Sequence, residues 1–215
     1  MHRELLQTTY ENRLAADPRW AFREGSRHFE ERSAVHEALR KITRRLAELG
    51  VPYAVVGGMA LFRHGLRRFT EVVEILVTGE DLAVIHQELD GRGYVPPFTG
   101  SRNLRDAELG VRVEFLITGQ YPGDGKEKPV AFPDPRDVSV ELEGTSFIRL
   151  VDLVNLKLAS GMTSPARLRD LADVQDLIKR LRLTDEFGRQ LHPYVRDKFE
   201  ELRKAAELGD AEENA

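Results

Sequence analysis

Residues 53–77 decide the fold, and they read YAVVGGMALFRHGLRRFTEVVEILV. The run Tyr53–Val56 is short and apolar, which predicts a buried strand, and the pair Gly57-Gly58 follows it directly. A short helix is predicted over Met59–His64. The stretch Phe69–Val77 is rich in β-branched and apolar residues, which predicts a second strand. The order is therefore strand, glycine turn, helix, strand.

This order of elements is suited to holding a phosphate. Glycines in the turn let a phosphate approach the backbone, and the start of a helix offers free N–H groups. Residues two apart on the second strand share one face of the sheet. A carboxylate pair at that spacing could hold Mg²⁺ against a nucleoside triphosphate. A third carboxylate on a neighbouring strand would complete a two-metal site, which activates a hydroxyl and stabilises leaving pyrophosphate.

The surrounding sequence alternates helical and strand patterns. Val35, Leu39, Ile42, Leu46 and Leu49 follow a helical spacing, with Ser33 as the expected N-cap and Gly50 as the expected C′ glycine. Residues 1–30 show no clear period and predict irregular chain or short helix. The other predicted elements are a helix over 81–89, a strand over 111–117, a loop over 119–136, short strands over 138–142 and 146–148, and helices over 150–159, 166–181 and 193–208.

The predicted fold class is α/β (α+β), a mixed sheet flanked by helices and followed by a C-terminal helical segment. We expect four parts along the chain. They are an N-terminal extension over 1–32, an α/β domain over 33–149, a helical segment over 150–208 packing on that domain, and an acidic tail over 209–215.

Composition excludes several classes of protein. The chain has 215 residues, 41% of them hydrophobic and 32% charged, which is a globular composition. It has no cysteine, which excludes disulfides, thiolate metal sites and a cysteine nucleophile. The net charge of −4 gives no overall basic field for nucleic acid. No apolar run approaches the ~20 residues of a membrane span, and no signal-peptide pattern opens the chain, so we expect a cytoplasmic protein without membrane contact.

The segment around the glycine pair resembles the nucleotidyltransferase superfamily of the DNA polymerase β type, and within it the minimal nucleotidyltransferases and the AbiEii-like toxin enzymes. Their pattern is a glycine pair or Gly-Ser, a helix, and an Arg-x-Thr-x-Asp-x-Asp strand. Arg68 and Thr70 match its first two positions, and Glu114 falls at the third acid on a later strand. Residues 154–159 (VNLKLA) and 167–174 (RLRDLADV) are similar to the family's Lys-x-x-Ala and Arg-x-x-Asp-x-x-Asp helices.

The resemblance covers about residues 35–181 and implies a nucleotidyltransferase-like fold. It implies Mg²⁺-dependent transfer of an NMP group from an NTP to a hydroxyl of RNA or protein, and a toxin–antitoxin context. It also implies which residues form the site and what role each has. The catalytic ones are Glu74, Glu114 and Lys157, the nucleotide-binding ones Gly57, Gly58, Arg68 and Thr70, and the metal ligands Glu74 and Glu114.

The sequence departs from the family pattern at the metal ligands. Val72 stands at the first aspartate position and Glu74 at the second. Valine cannot ligate a metal, and the longer glutamate moves its carboxylate outward at a site where Mg²⁺ needs near-ideal geometry. This predicts weakened or lost transfer. The alternative is a catalytically inactive protein that binds nucleotide, RNA or a protein partner in the same cleft, and a third possibility is an interaction module using the helical half.

Each candidate residue also has a structural interpretation. Glu74 could pair with Lys157 or Arg68, and Glu114, which alternates with Arg112 on one face, could be a cross-strand partner. Lys157 could be a lysine that extends to the surface. Asp170 and Asp173, with Arg169, could brace helices.

A basic cluster and the remaining histidines have weaker signals. The cluster could grip a triphosphate or RNA backbone, or it could be a solvated loop face; its members are Arg63, His64, Arg67 and Arg68. The other histidines lack metal-ligand spacing and are assigned no role; they are His2, His28, His36, His86 and His192.

Overall fold

A mixed β-sheet organises the chain. The computed structural model describes residues 9–213, with side chains through residue 208, and within that range the sheet has seven strands. The strands are β1 (Ala54–Val56), β2 (Val72–Val77), β3 (Tyr94–Val95), β4 (Leu104–Asp106), β5 (Arg112–Ile117), β6 (Ser139–Leu142) and β7 (Thr145–Ile148). Their order across the sheet is β3-β4-β5-β2-β1-β7-β6.

The centre of the sheet is the part that positions the candidate site. Strand β2 pairs antiparallel with β1 and parallel with β5. In the parallel pair Glu74 stands beside Glu114, and Val72 stands beside Arg112. Because side chains two apart on a strand share a face, these four side chains lie together on one face of the sheet.

Helices follow most of the strands and close both ends of the chain. They are α1 (Tyr10–Ala16), α2 (Pro18–Phe29), α3 (Ala34–Glu48), α4 (Gly57–Arg63), α5 (Gly79–Leu89), α6 (Pro135–Val138), α7 (Leu150–Thr163), α8 (Leu168–Leu181), α9 (Asp185–Gln190) and α10 (Pro193–Glu213), with a 3₁₀ turn at Pro165–Arg167. None of the helices in this part of the chain is long and apolar enough to cross a bilayer.

The ends of α3 follow from its capping residues. Gly50 has φ +66°, its N–H donates to the Ala47 carbonyl, and the next N–H donates to the carbonyl of Leu46. This pair of bonds is the Schellman motif, and it confirms the predicted helix end. Ser33 occupies the predicted N-cap position, but its side chain makes no capping hydrogen bond.

The core is continuous from the sheet into the helices. Buried apolar side chains of β1, β2 and β5 join those of α3 and α7, including Ile42, Ile75, Phe115 and Leu158. Helices α7 and α8 pack against each other, and α10 packs on both. The mixed sheet with flanking helices and a helical C-terminal segment confirms the predicted fold class.

Several predicted boundaries differ from the structure. Strand β2 begins at Val72 rather than at Phe69, and α4 begins at Gly57 rather than at Met59. Residues 10–29, which showed no clear period, form the two helices α1 and α2. The short strands β3 and β4 were not predicted. The predicted acidic tail, 209–215, has its backbone described through Glu213 within α10, and its side chains lie outside the described residues.

Candidate functional site

A small pocket lies between the sheet, α7, the turn before α8 and the loop after β5. Its volume is about 90 Å³. Glu74 and Gly57 border it from the sheet side, and Lys157 and Asp170 border it from the helices. The other lining residues are Val56, Leu116, Pro122, Gly123, Phe132, Leu153, Leu156, Ser160 and Arg167.

The glycine pair is required by the approach of two side chains of the protein itself. Gly57 has φ +59°, and a Cβ there would lie 1.6 Å from Glu74 Oε2. A Cβ on Gly58 would lie 2.7 Å from Thr70 Cβ. The Gly58 N–H donates to Glu74 Oε2 at 3.3 Å. The carboxylate of Glu74 therefore occupies the position at the turn where the sequence predicted a bound phosphate.

Glu74 is held in an environment that disfavours its charge. Burial raises the pKa of its carboxyl above the ordinary value, and the negative charges of Glu114 and Asp170 add to that effect. The positive charge of Lys157 and the hydrogen bond from the Gly58 N–H act in the opposite direction. Two other acids and one buried cation thus set the charge environment of Glu74.

Lys157 is buried, with 6% of its surface exposed, and it connects α7 to α8. Its ammonium donates to Asp170 Oδ1 at 2.8 Å and to Asp173 Oδ2 at 2.7 Å. Ser160 donates to the other oxygen of Asp170 at 2.6 Å. The interpretation of Lys157 as a surface lysine is therefore wrong. The alternative in which Asp170 and Asp173 brace helices agrees with these contacts.

Arg68 joins the same network instead of pairing with Glu74. Its Nε lies 2.9 Å from Asp173 Oδ1, and its second terminal nitrogen lies 3.1 Å from Asp173 Oδ2. Neither Arg68 nor Lys157 forms an ion pair with Glu74 among the described residues, so the predicted salt bridge of Glu74 is wrong. Both cations are committed to Asp173.

The four side chains of the predicted basic cluster contact different partners and do not lie together. Arg63 pairs with Glu143, and His64 bonds through Nε2 to the Ile148 carbonyl at 2.7 Å. Arg67 lies over the ring of Phe62, 5.3 Å from its centroid. With Arg68 bound to Asp173, the four side chains point to four different partners and form no common surface for a triphosphate.

Glu114 stands beside Glu74 in register but has a cation of its own. Arg112 places a terminal nitrogen 2.9 Å from Glu114 Oε1, and its Nε lies 3.8 Å from Glu11 of α1. Glu114 therefore has a structural partner, but that partner lies on its own strand and not across the sheet as predicted. Among the described residues, the pocket lining does not include Glu114, Arg68, Thr70 or Gly58.

These residues do not fit a two-metal site. Val72 offers no ligand atom, Glu114 is engaged by Arg112, and Glu74 is directed at the Gly58 N–H. No group of three or more His, Asp or Glu side chains in the described part of the chain is placed to hold a metal ion. Glu74 and Glu114 thus stand side by side on the sheet face without a metal-binding geometry.

Two pocket residues were not among the predicted site residues. Ser160 lies three residues after Lys157 on α7, so helical spacing places both on one side of the helix and could have identified it. Arg167 lies in the 3₁₀ turn at the pocket rim and is exposed. It has no acidic partner within ion-pair distance among residues 9–208. It is also the first arginine of the block over 167–174, so the resemblance could have identified it.

Comparisons with known proteins find similarity only among solved structures. No protein-family model matches the chain, and no curated protein matches it. The chain is similar to ANT(2")-Ia in complex with adenylyl-2"-tobramycin, with 11% identity, a TM-score of 0.48, and coverage of 80% of this chain and 96% of that one. It is similar to JHP933 from Helicobacter pylori, with 15% identity, a TM-score of 0.45, and coverage of 81% and 89%.

A third similar structure, also from H. pylori, is described as a candidate nucleotidyltransferase. The identity is 17% and the TM-score 0.40, over 80% of this chain and 92% of that one. All three TM-scores are below 0.5.

Proposed function

We propose that the chain is a nucleotidyltransferase-like protein that binds a nucleotide in this pocket without needing a metal, and in which Mg²⁺-dependent transfer is weakened or lost. One observation carries the proposal. Gly57, Glu74, Lys157 and Asp170 come from separate blocks of the family resemblance and border one pocket. The retained blocks support nucleotide binding, and Val72 with the paired Glu114 supports the loss of transfer.

The cation offered to a bound phosphate is Arg167 at the rim. Lys157 is shared between two aspartates, and Arg68 is bound to Asp173, so neither is available without breaking a buried network. Arginine is suited to phosphate because its guanidinium donates two parallel hydrogen bonds. The proposal therefore places the phosphates of the ligand at the open side of the pocket, next to Arg167.

The pocket is smaller than a whole nucleotide, so part of the ligand lies outside it unless the loop between β5 and α6 withdraws. Pockets that bind small molecules and cofactors measure about 300–1,000 Å³. This is several times the volume of this pocket, about 90 Å³. Pro122 and Gly123 of this loop border the pocket, and a Cβ on Gly123 would lie 2.7 Å from the Ser160 carbonyl oxygen. The tip of the loop thus rests directly on α7.

Calorimetric titration tests the proposal. We expect at least one of the four NTPs to bind equally well, within about threefold, in Mg²⁺ and in EDTA, and we expect no pyrophosphate release. R167E should weaken binding at least about tenfold, or about 1.4 kcal/mol, because it reverses the charge beside the phosphates. R169E is the matched control, since Arg169 is also exposed but does not border the pocket.

The outcomes separate the candidate functions. Absence of binding by all four NTPs would contradict the proposal and favour a scaffold or interaction module. Binding that EDTA abolishes, with release of pyrophosphate, would instead support residual transfer. That second candidate rests on a specific feature, the placement of Glu74 directly beside Glu114 across β2 and β5.

A further inference from the structure

Four side chains on one face of the sheet form a block of mixed charge and polarity. Val72 and Glu74 lie on β2, and Arg112 and Glu114 stand beside them on β5. Neighbouring strands are ~4.8 Å apart, so each residue lies within reach of its partner across the pair. The block therefore holds two acids, one base and one apolar side chain, where the family pattern has three acids.

We propose that Arg112 is an internal cation that takes the place of the metal at this face. The proposal concerns the same site as the proposed function and rests on it. Arg112 stands beside Val72 in register, and its guanidinium reaches along its own strand to Glu114 at 2.9 Å. It thus supplies fixed positive charge at the acid that would ligate a metal, from the strand position beside the missing first acid.

The loss of the first acid and the presence of the arginine are consistent with each other. A carboxylate pair with no cation beside it is costly on a half-buried face, because like charges repel and burial disfavours both. Arg112 offsets that cost for Glu114 without any bound ion. An arginine is suited to this role because it stays charged at all physiological pH values.

A second contact holds Arg112 in place from the N-terminal helices. Glu11 of α1 lies 3.8 Å from Arg112 Nε and 2.7 Å from a terminal nitrogen of Arg105. Arg105 also stands beside Arg112 in the antiparallel pair of β4 and β5. The two arginines share Glu11, but only Arg112 is paired with Glu114 among the described residues.

The proposal predicts that restoring the acids is not sufficient to restore a metal site. V72D/E74D would place a new carboxylate directly beside Arg112. The positive charge of the guanidinium would neutralise that carboxylate. We expect this double variant to bind Mn²⁺, titrated alone and followed by electron paramagnetic resonance, no more tightly than the unmodified protein. Adding R112Q should lower the Mn²⁺ dissociation constant at least about tenfold.

Control variants separate this effect from a general loss of positive charge. Adding R112K should give no gain because the charge remains, and adding R105Q should give none because Arg105 is not paired with Glu114. R112M is a second neutral replacement that retains an apolar stem, and it should reproduce the gain of R112Q. Circular dichroism of each variant confirms that it is folded.

Two results would overturn the proposal. The first is Mn²⁺ binding by V72D/E74D that is as tight as with R112Q added. The second is equal tightening by R105Q. The measurement uses no nucleotide, so its outcome is independent of the NTP titration. A failed NTP titration with the expected Mn²⁺ pattern would reject the nucleotide ligand and retain the role of Arg112.

Discussion

K157M is expected to lower the free energy of unfolding by about 3–5 kcal/mol, the range for removing one partner of a buried ion pair. Lys157 is the shared cation of two aspartates, and Asp173 is itself buried. Methionine fills a similar volume but leaves Asp170 with only the Ser160 hydroxyl. Urea denaturation at pH 7, followed by circular dichroism, measures the loss.

Two further variants test whether this loss comes from the unpaired carboxylates. K198M removes a lysine whose partner is the exposed Glu201 on the same helix, and we expect little change there. K157M/D170N should be less destabilised than the sum of its two single variants, because neutralising Asp170 removes part of the unpaired charge. Additive losses, or a loss from K157M no larger than that from K198M, would contradict a structural role for this network.

The central strands of the sheet could be predicted because the sequence patterns that indicate them are local. The alternation over 111–117 and the apolar run before Gly57 identify β5 and β1 by themselves. Strands β3 and β4 are two and three residues long, and they are held by pairing with β5, as in Leu104 beside Val113. Their stability comes from a partner distant in sequence, and no local pattern shows it.

The sequence identified candidate residues of the site, but it did not show which residues contact each other. The resemblance singled out Glu74, Glu114 and Lys157, and the structure places the two glutamates side by side on one face of the sheet. The partners of Lys157 lie 13 and 16 residues further on, on another helix, and they meet it only because the chain turns back after α7. Tertiary contacts of this kind decide whether a charged side chain is buried, and sequence spacing alone does not reveal them.

A buried histidine cluster was also missed, because its members lie in separate helices. Ser33 Oγ lies 3.3 Å from His28 Nδ1 and 3.0 Å from His36 Nδ1, and the two imidazole rings are 4.7 Å apart. His28 Nε2 bonds to the carbonyl of Arg68 at 3.0 Å. The cluster therefore ties α2 and α3 to the segment that carries Arg68.

His36 is expected to make the protein sensitive to acid. Burial, with the nearby charges of His28 and Arg40, lowers the pKa of His36 from 6.5 to about 4. A lowered pKa means that the unfolded chain binds a proton that the folded chain excludes. The stabilisation from neutral His36 is therefore complete above pH 6.5 and is lost as the pH falls toward 4. One pKa unit is worth about 1.4 kcal/mol, so this loss amounts to about 3 kcal/mol.

H36F removes that proton-binding group while keeping a ring of similar shape against Phe62. At pH 7 we expect a cost of about 1 kcal/mol for the lost bond to Ser33, offset in part because His36 Nε2 is buried without a partner among the described residues. Between pH 7 and pH 4.5, urea denaturation should show H36F losing about 2–3 kcal/mol less than the unmodified protein. H192F, at an exposed histidine, should keep the original pH dependence. If H36F is as acid-sensitive as the unmodified protein, the sensitivity comes from other groups, since His36 would then bind its proton equally in the folded and unfolded chains.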